Sequence, residues 1–196
     1  MRLYRRQKAG DATFREYPDP QYTERDIAFL TGWLGHYIGD GAQPLHGTVN
    51  GNGWILPNPN GYTTTNGMNG IHVRFETTYL DLIGVTPADV RPLLTSATHV
   101  ADPFSAVLAH IDRAASHAEQ VYQLDKQGAL TDKNNPEARQ LVMTQLAAAA
   151  SLLRDLVYTA WVNSGMSATD TGPDAIDPRN PAYNPATGSA PAPRPK

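Results

Sequence analysis

One short stretch of the chain, HYIGDGAQPLH at residues 36–46, combines two histidines and an aspartate. His36 precedes Asp40 by four positions, and His46 ends the stretch. Residues four apart on an α-helix share a face, so the side chains of His36 and Asp40 can converge on one point. Imidazole and carboxylate groups both bind metals, although a single pair of this kind is more often a solvent-exposed ion pair or a hydrogen-bonded core histidine.

A second stretch, HVRFE at residues 72–76, repeats the spacing with His72 and Glu76. Two such pairs on neighbouring predicted helices, with His46 beside a helix-ending turn, indicate metal binding more strongly than one pair does. The chain has no cysteine, so histidine, aspartate and glutamate are its only strong metal ligands. Nitrogen and oxygen ligands without sulfur suit zinc, and they also fit manganese or iron.

The hydrophobic periodicity around these stretches predicts helices and gives no convincing strand pattern. The helices are predicted at residues 23–40, 70–82, 103–128 and 136–163, with a short one after Thr86. The predicted fold class is therefore all-α, a bundle-like helical domain over residues 23–166. Residues 1–22 are predicted to be irregular, and the proline-rich residues 167–196 are predicted to form a disordered tail.

Residues 47–68 are rich in Gly, Asn, Pro and Thr and predict a long loop between the two metal-ligand helices. Because the loop joins those helices, it must pass close to the site. Trp54 and Tyr62 are candidates for stacking on a base or packing against a lipid headgroup. Asn50 is a candidate donor to phosphate oxygens. The alternative is that Trp54 only folds the loop onto the domain.

Composition excludes several functional classes. The net charge of −3 gives no basic surplus of the kind that binds duplex DNA. No stretch approaches the roughly 18 apolar residues that a membrane span needs, and no signal peptide is predicted. The apolar segment at 147–161 is predicted to be a core helix, because Arg154 and Asp155 interrupt it.

Taken together, HYIGDGAQPLH and HVRFE resemble the zinc-dependent phospholipase C and single-strand-specific nuclease superfamily. The shared pattern is His-x3-Asp-x5-His, a loop of variable length, and His-x3-Asp or Glu, and positions 36, 40, 46, 72 and 76 match every element. By motif, the resemblance covers residues 23–82. It implies a hydrolase of phosphodiester bonds in which a metal-activated hydroxide attacks phosphorus. The implied substrate is single-stranded nucleic acid or a phospholipid headgroup.

The resemblance also implies a role for each matched residue. His46, His72 and Glu76 match the three protein ligands of one zinc ion. His36 and Asp40 match ligands of a two-zinc cluster in which the aspartate bridges both ions, so Asp40 is also the expected catalytic residue. The remaining ligands of the family's three zinc ions precede the first helix, where this chain has no histidine. We therefore expect one bound zinc and a weak or absent cluster.

Members of the superfamily are generally exported, which implies a periplasmic or extracellular location, and no stable protein partner is predicted. Glutamate at position 76 is closer to the phospholipase branch than the aspartate usual in the nucleases.

Two alternatives to an active enzyme stay open. The chain is either a catalytically incomplete fragment, because the first third of the family pattern has no counterpart here, or a degenerate helical domain with a structural zinc.

Overall fold

The computed structural model of the chain describes residues 1–8 and 20–164. The described part is mostly helical and contains no strand, which confirms the predicted all-α class. The predicted disordered tail at 167–196 lies outside the described residues. The chain forms two compact units, one of which is Gln21–Thr159 and carries every candidate site residue.

In chain order, the helices are α1 (Arg2–Lys8), α2 (Pro20–Ala42), α3 (Ile71–Val73), α4 (Tyr79–Ile83), α5 (Pro87–Val90), α6 (Pro103–Ala115), α7 (Ala118–Lys126) and α8 (Pro136–Asn163). A π-helical turn, Arg74–Thr78, joins α3 to α4. We call residues 71–83 the split helix, because they form one helical run with this wider turn inside it. Short 3-10 turns lie at Pro44–Gly47, Gly67–Asn69, Arg91–Leu93 and Ala129–Thr131.

Two predicted features near the N-terminus are wrong. The segment 1–22, predicted to be irregular, contains α1 and the start of α2. Arg2–Lys8 consists mainly of arginine, leucine, glutamine and lysine, which are good helix formers. Helix α2 begins at Pro20 rather than at residue 23, because proline fits the first helical turn, where its missing N–H costs nothing.

The predicted helix at 103–128 is divided into α6 and α7. Ser116 Oγ donates to the carbonyl of Arg113 at 2.7 Å, and the His117 N–H bonds to the carbonyl of Ala114, three residues back. Short polar side chains that bond to the backbone compete with the helical ladder, and the ladder breaks here. Apolar periodicity continues across the break, so it could not reveal this division.

Helix α8 begins and ends where the sequence predicts it. The Asn135 side chain accepts a hydrogen bond from the Ala138 N–H at 3.0 Å and so caps the first turn. By length and composition alone, α8 is also long and apolar enough to cross a membrane. A single helix of this kind is weak evidence for a membrane span.

The core of the larger unit determines which side of the split helix faces the surface. Ile71, Phe75 and Tyr79 are buried there among apolar side chains from α7, α8 and the turn after α2. His72 and Glu76 each follow one of these buried residues by one position. Packing of the core row therefore holds the two predicted ligands side by side at the edge of the core.

The smaller unit combines the start of the chain with the end of α8. The guanidinium of Arg5 lies 3.9 Å from the ring centroid of Trp161 and donates to the carbonyl of the same residue at 2.8 Å. Arginine over an indole face is a favourable cation–π contact. None of the candidate ligands belongs to this unit.

Candidate metal centre

Three ligand atoms from two parts of the chain meet at one point. Nε2 of His46 lies 3.1 Å from Nε2 of His72. Oε2 of Glu76 lies 2.9 Å from Nε2 of His72 and 3.4 Å from Nε2 of His46. His46 belongs to the 3-10 turn after α2, and the other two belong to the split helix. These residues, which we call the triad, could hold a metal ion, as the sequence predicts.

Backbone carbonyls determine which nitrogen of each ring carries hydrogen. Nδ1 of His46 lies 3.0 Å from the carbonyl oxygen of Asp40, and Nδ1 of His72 lies 3.2 Å from that of Gly51. A carbonyl oxygen only accepts, so each Nδ1 donates, and Nε2 of the neutral ring keeps its lone pair. Histidines that bind metals usually hold their second nitrogen in this way.

The triad therefore brings three acceptor atoms together. In the neutral rings both Nε2 atoms carry lone pairs, and the ionised carboxylate of Glu76 can only accept. No hydrogen-bond donor among these three groups can satisfy the others unless a ring takes up a proton. A cation between them would remove the repulsion, and the group could hold one.

Gln43 is a further part of this centre that sequence reasoning missed. Its Nε2 donates to Oε2 of Glu76 at 3.0 Å, and its Oε1 accepts from the N–H of Leu45 at 2.7 Å. Gln43 is the N-cap of the 3-10 turn that carries His46. The one carboxamide therefore ties the turn to the split helix. The only sequence signal for this role is a glutamine directly before Pro44, next to the second histidine of the motif.

Opposing effects act on the pKa of Glu76. Burial raises this pKa, whereas the hydrogen bond from Gln43 lowers it, as do His72 and His46 when their rings carry a charge. The lowering effects prevail, so the pKa lies below the ordinary glutamate value. Glu76 is consequently ionised at neutral pH and can serve as an anionic ligand.

His36 and Asp40 form a separate pair on α2. His36 Nε2 lies 3.2 Å from Asp40 Oδ2, and the two side chains are 68% and 47% exposed. Asp40 Oδ1 lies 3.8 Å from Nδ1 of His46, the ring nitrogen that faces away from the triad. The structure thus brings these residues next to the triad but not into it. Within the described ranges, the triad is the one group of three candidate ligands that converge.

The loop between the two parts of the centre passes the triad at Gly51. A Cβ atom on Gly51 would lie 2.6 Å from the carbonyl oxygen of Leu45, so only glycine fits where its own carbonyl reaches His72. The hydroxyl of Tyr122 on α7 donates to the carbonyl of Asn50 and accepts from the N–H of Gly53. These bonds hold the backbone on both sides of Gly51 in place.

The three substrate candidates of the loop use their side chains to hold the loop itself. Tyr62 is buried and donates from its hydroxyl to Glu119 at 2.9 Å. Asn50 is also buried, and its Oδ1 accepts from the N–H of Ile55 at 3.0 Å. Trp54 is half-buried, with its ring centroid 4.8 Å from that of Tyr62. Of these three candidates, only Trp54 has an accessible side chain. Its contact with a substrate stays a prediction.

An apolar cavity of about 230 Å³ opens beside the triad. One wall is polar and includes His46, Glu76, Gln43 and Asp40. The other walls come from the split helix and α8 and are formed mainly by Phe75, Leu80, Val142, Leu146 and Ala149. The cavity thus places an apolar space directly against the candidate ligands.

Comparisons with known proteins give this chain no family. No protein-family model, curated protein or solved structure matches it. The superfamily resemblance rests on the two motifs and stays a prediction.

Replacing Gln43 tests whether its carboxamide supports the centre. Gln43→Leu removes the donor that holds Glu76 and is expected to weaken zinc binding roughly 10- to 100-fold, the usual cost of losing a group that orients a ligand. Competition with a chromophoric chelator measures the affinity. Gln145→Leu is the matched control, because Gln145 also lines the cavity without bonding to the triad. Equal affinities of the two variants would contradict the assigned role.

Proposed function

We propose that this chain is a zinc-dependent hydrolase of phosphodiester bonds. The observation that carries the proposal is the convergence of two lone-pair nitrogens and one carboxylate oxygen, 2.9, 3.1 and 3.4 Å apart. Ligand atoms of a tetrahedral zinc site with bonds near 2.0–2.1 Å lie roughly 3.3 Å apart. The three distances fit one face of such a tetrahedron, which supports zinc as the ion.

Three protein ligands leave one tetrahedral position open, which is the layout of catalytic rather than structural zinc. The side chains of His46, His72 and Glu76 are 31%, 22% and 42% exposed, so the centre is reachable from solvent. Zinc bound at such a site acts as a Lewis acid and lowers the pKa of a coordinated water to about 7. That chemistry suits hydrolysis at neutral pH.

The remaining residues of the centre have defined tasks in this proposal. The carbonyls of Asp40 and Gly51 keep both rings in the tautomer that presents Nε2. Gln43 holds the Glu76 carboxylate against the two rings. The carboxylate of Asp40 lines the cavity outside the triad and pairs with His36, so its expected catalytic role stays a prediction.

The cavity favours a substrate with an apolar group next to its phosphodiester. Its apolar walls can bury an acyl or aryl group while the polar wall faces the phosphate. The net charge of −3 gives no long-range attraction for a polyanion. Of the two substrate classes that the resemblance implies, these features support the phospholipid over the nucleic acid.

Hydrolysis assays test the proposed function directly. We expect the zinc-loaded chain to hydrolyse bis(p-nitrophenyl) phosphate and short-chain phosphatidylcholine, to lose both activities on chelation, and to regain them with zinc. Single-stranded DNA is expected to be the poorer substrate. Leu146→Trp, which fills the cavity, should raise KM for the lipid without changing the zinc content. Absence of zinc-dependent hydrolysis of all three substrates by the metal-loaded protein would overturn the proposal.

A second candidate is a zinc-binding domain with no activity of its own. It is favoured by the His36–Asp40 pair, which supplies two side chains where the family pattern has a two-zinc cluster. In that case zinc would still bind the triad and stabilise the fold. The same assays separate the two candidates, since only the first predicts turnover.

A further inference from the structure

The exposed side of α2 carries a row of large apolar side chains. Tyr22, Phe29, Leu30, Trp33 and Tyr37, which we call the aromatic face, are 50–64% exposed. The rings of Phe29 and Trp33 meet edge to face with centroids 5.4 Å apart, and those of Trp33 and Tyr37 stack at 6.4 Å. The rings therefore pack along their own helix and still leave most of their area open.

The aromatic face is not the side by which α2 joins its unit. Ile38 and Ala42 are buried, and the carbonyl of Ile38 accepts a hydrogen bond from His110 Nε2 at 3.1 Å. At 100° per residue, Ile38 lies opposite Phe29 on the helix. Helix α2 is thus apolar on two opposite sides, a pattern that belongs to a helix covered on both. Apolar surface of this extent on a soluble domain usually marks an interaction site.

We propose that the aromatic face binds the same face of a second copy of this chain, with the two α2 helices antiparallel. A two-fold axis midway between Phe29 and Trp33 places Phe29 of each copy opposite Trp33 of the other. The same axis brings Asp26 of each copy to the level of His36 of the other. A carboxylate and an imidazole N–H thus lie at one height in the register that also pairs the rings.

The size of the face agrees with a reversible dimer. Aromatic side chains bury about 150–250 Å² each. The half-exposed side chains of the aromatic face therefore offer roughly 500 Å² per copy. The total of about 1,000 Å² is the lower limit for a specific interface. A groove between Ala28, Phe29, Gly32 and Trp33 provides room for an incoming ring, since nothing lies within 4 Å of a Cβ on Gly32.

The mass of the full chain in solution tests the proposal, by sedimentation or light scattering over the micromolar range. The wild-type chain is expected to approach twice its 21.3 kDa mass, and Trp33→Arg to remain at the single-chain mass. Ile55→Arg is the control, because Ile55 is an exposed apolar residue of the loop rather than of α2. A single-chain mass for the wild type, or dissociation by the control, would overturn the proposal.

Two further variants keep the test decisive. Phe29→Glu is measured beside Trp33→Arg, with helix content checked by circular dichroism, and a folded variant of either kind that still dimerises counts against the proposal. His36→Glu places like charges at the level of Asp26 and should weaken the dimer several-fold. Combining it with Asp26→Lys should restore the dimer. Failure of the double variant to recover would reject this register. The outcome does not depend on whether the chain hydrolyses phosphodiesters.

Discussion

Wild-type protein that has been stripped with a chelator and reloaded is expected to retain one zinc ion per chain, and His72→Ala is expected to retain none. The substitution leaves His46 and Glu76, and two ligands do not hold zinc against dilution. Changes that only disturb a ligand's orientation cost about 10- to 100-fold in affinity, so removal of the ligand should cost at least about 100-fold. Elemental analysis after gel filtration gives the stoichiometry, and chelator competition gives the affinity.

His36→Ala is the matched control for this experiment. It also removes an imidazole from the HYIGDGAQPLH stretch, but His36 pairs with Asp40 outside the triad. The variant should therefore still retain one zinc ion. Two or three ions on the wild-type chain would mean that the His36–Asp40 pair recruits metal as well. Retention of zinc by His72→Ala would remove the triad as the binding site.

The second large effect expected is on stability. A ligand present at 100 times its Kd stabilises the native state by about 2.7 kcal/mol, and zinc at the triad should do so. For a chain of this size, that gain raises Tm by about 5–10 °C. The physical reason is that the ion would link the turn after α2 to the split helix, which are distant in sequence. Thermal unfolding followed by circular dichroism, with zinc and with chelator, measures the difference.

Two controls identify the source of this stabilisation. His72→Ala should show the same Tm with zinc and with chelator, because it lacks the complete triad. Magnesium should not replace zinc, since it prefers oxygen ligands to imidazole. A zinc-dependent increase of equal size in His72→Ala would show that the metal acts elsewhere on the chain.

The sequence predicts the ligands of the centre better than their supports. The four-residue spacing of His72 and Glu76 predicts their shared face from helix geometry, and the resemblance adds His46. Gln43 and Gly51 act through the path of a turn and a loop, which no periodicity encodes. The close approach of Gly51 to Leu45 is visible only once the loop has folded back. Supports of this kind depend on tertiary contacts.

The same distinction explains the errors in the helix boundaries. Helix α8 follows its apolar pattern and its Asn135–Pro136 start, both of which are local signals. The division between α6 and α7 depends on one hydroxyl at Ser116 that bonds back to the chain. Helix α1 precedes a segment with prolines at 18 and 20, which indicate irregular structure, although its own residues are good helix formers. Local competition for backbone hydrogen bonds, not hydrophobic pattern, decides such positions.

The π-helical turn at Arg74–Thr78 affects both the packing of the core and the spacing of the two candidate ligands on the split helix. In a regular α-helix each step of four residues turns by about 40°, so Ile71 and Tyr79 would point about 80° apart. The wider turn takes up this excess, and both residues stay buried with Phe75. His72 and Glu76 each come one position after a residue of this buried row. The wider turn therefore also affects how these two side chains line up along the helix. A mutation that regularised the helix would therefore change the core and the ligand spacing together. The spacing of the two candidate ligands is therefore tied to the packing of the core.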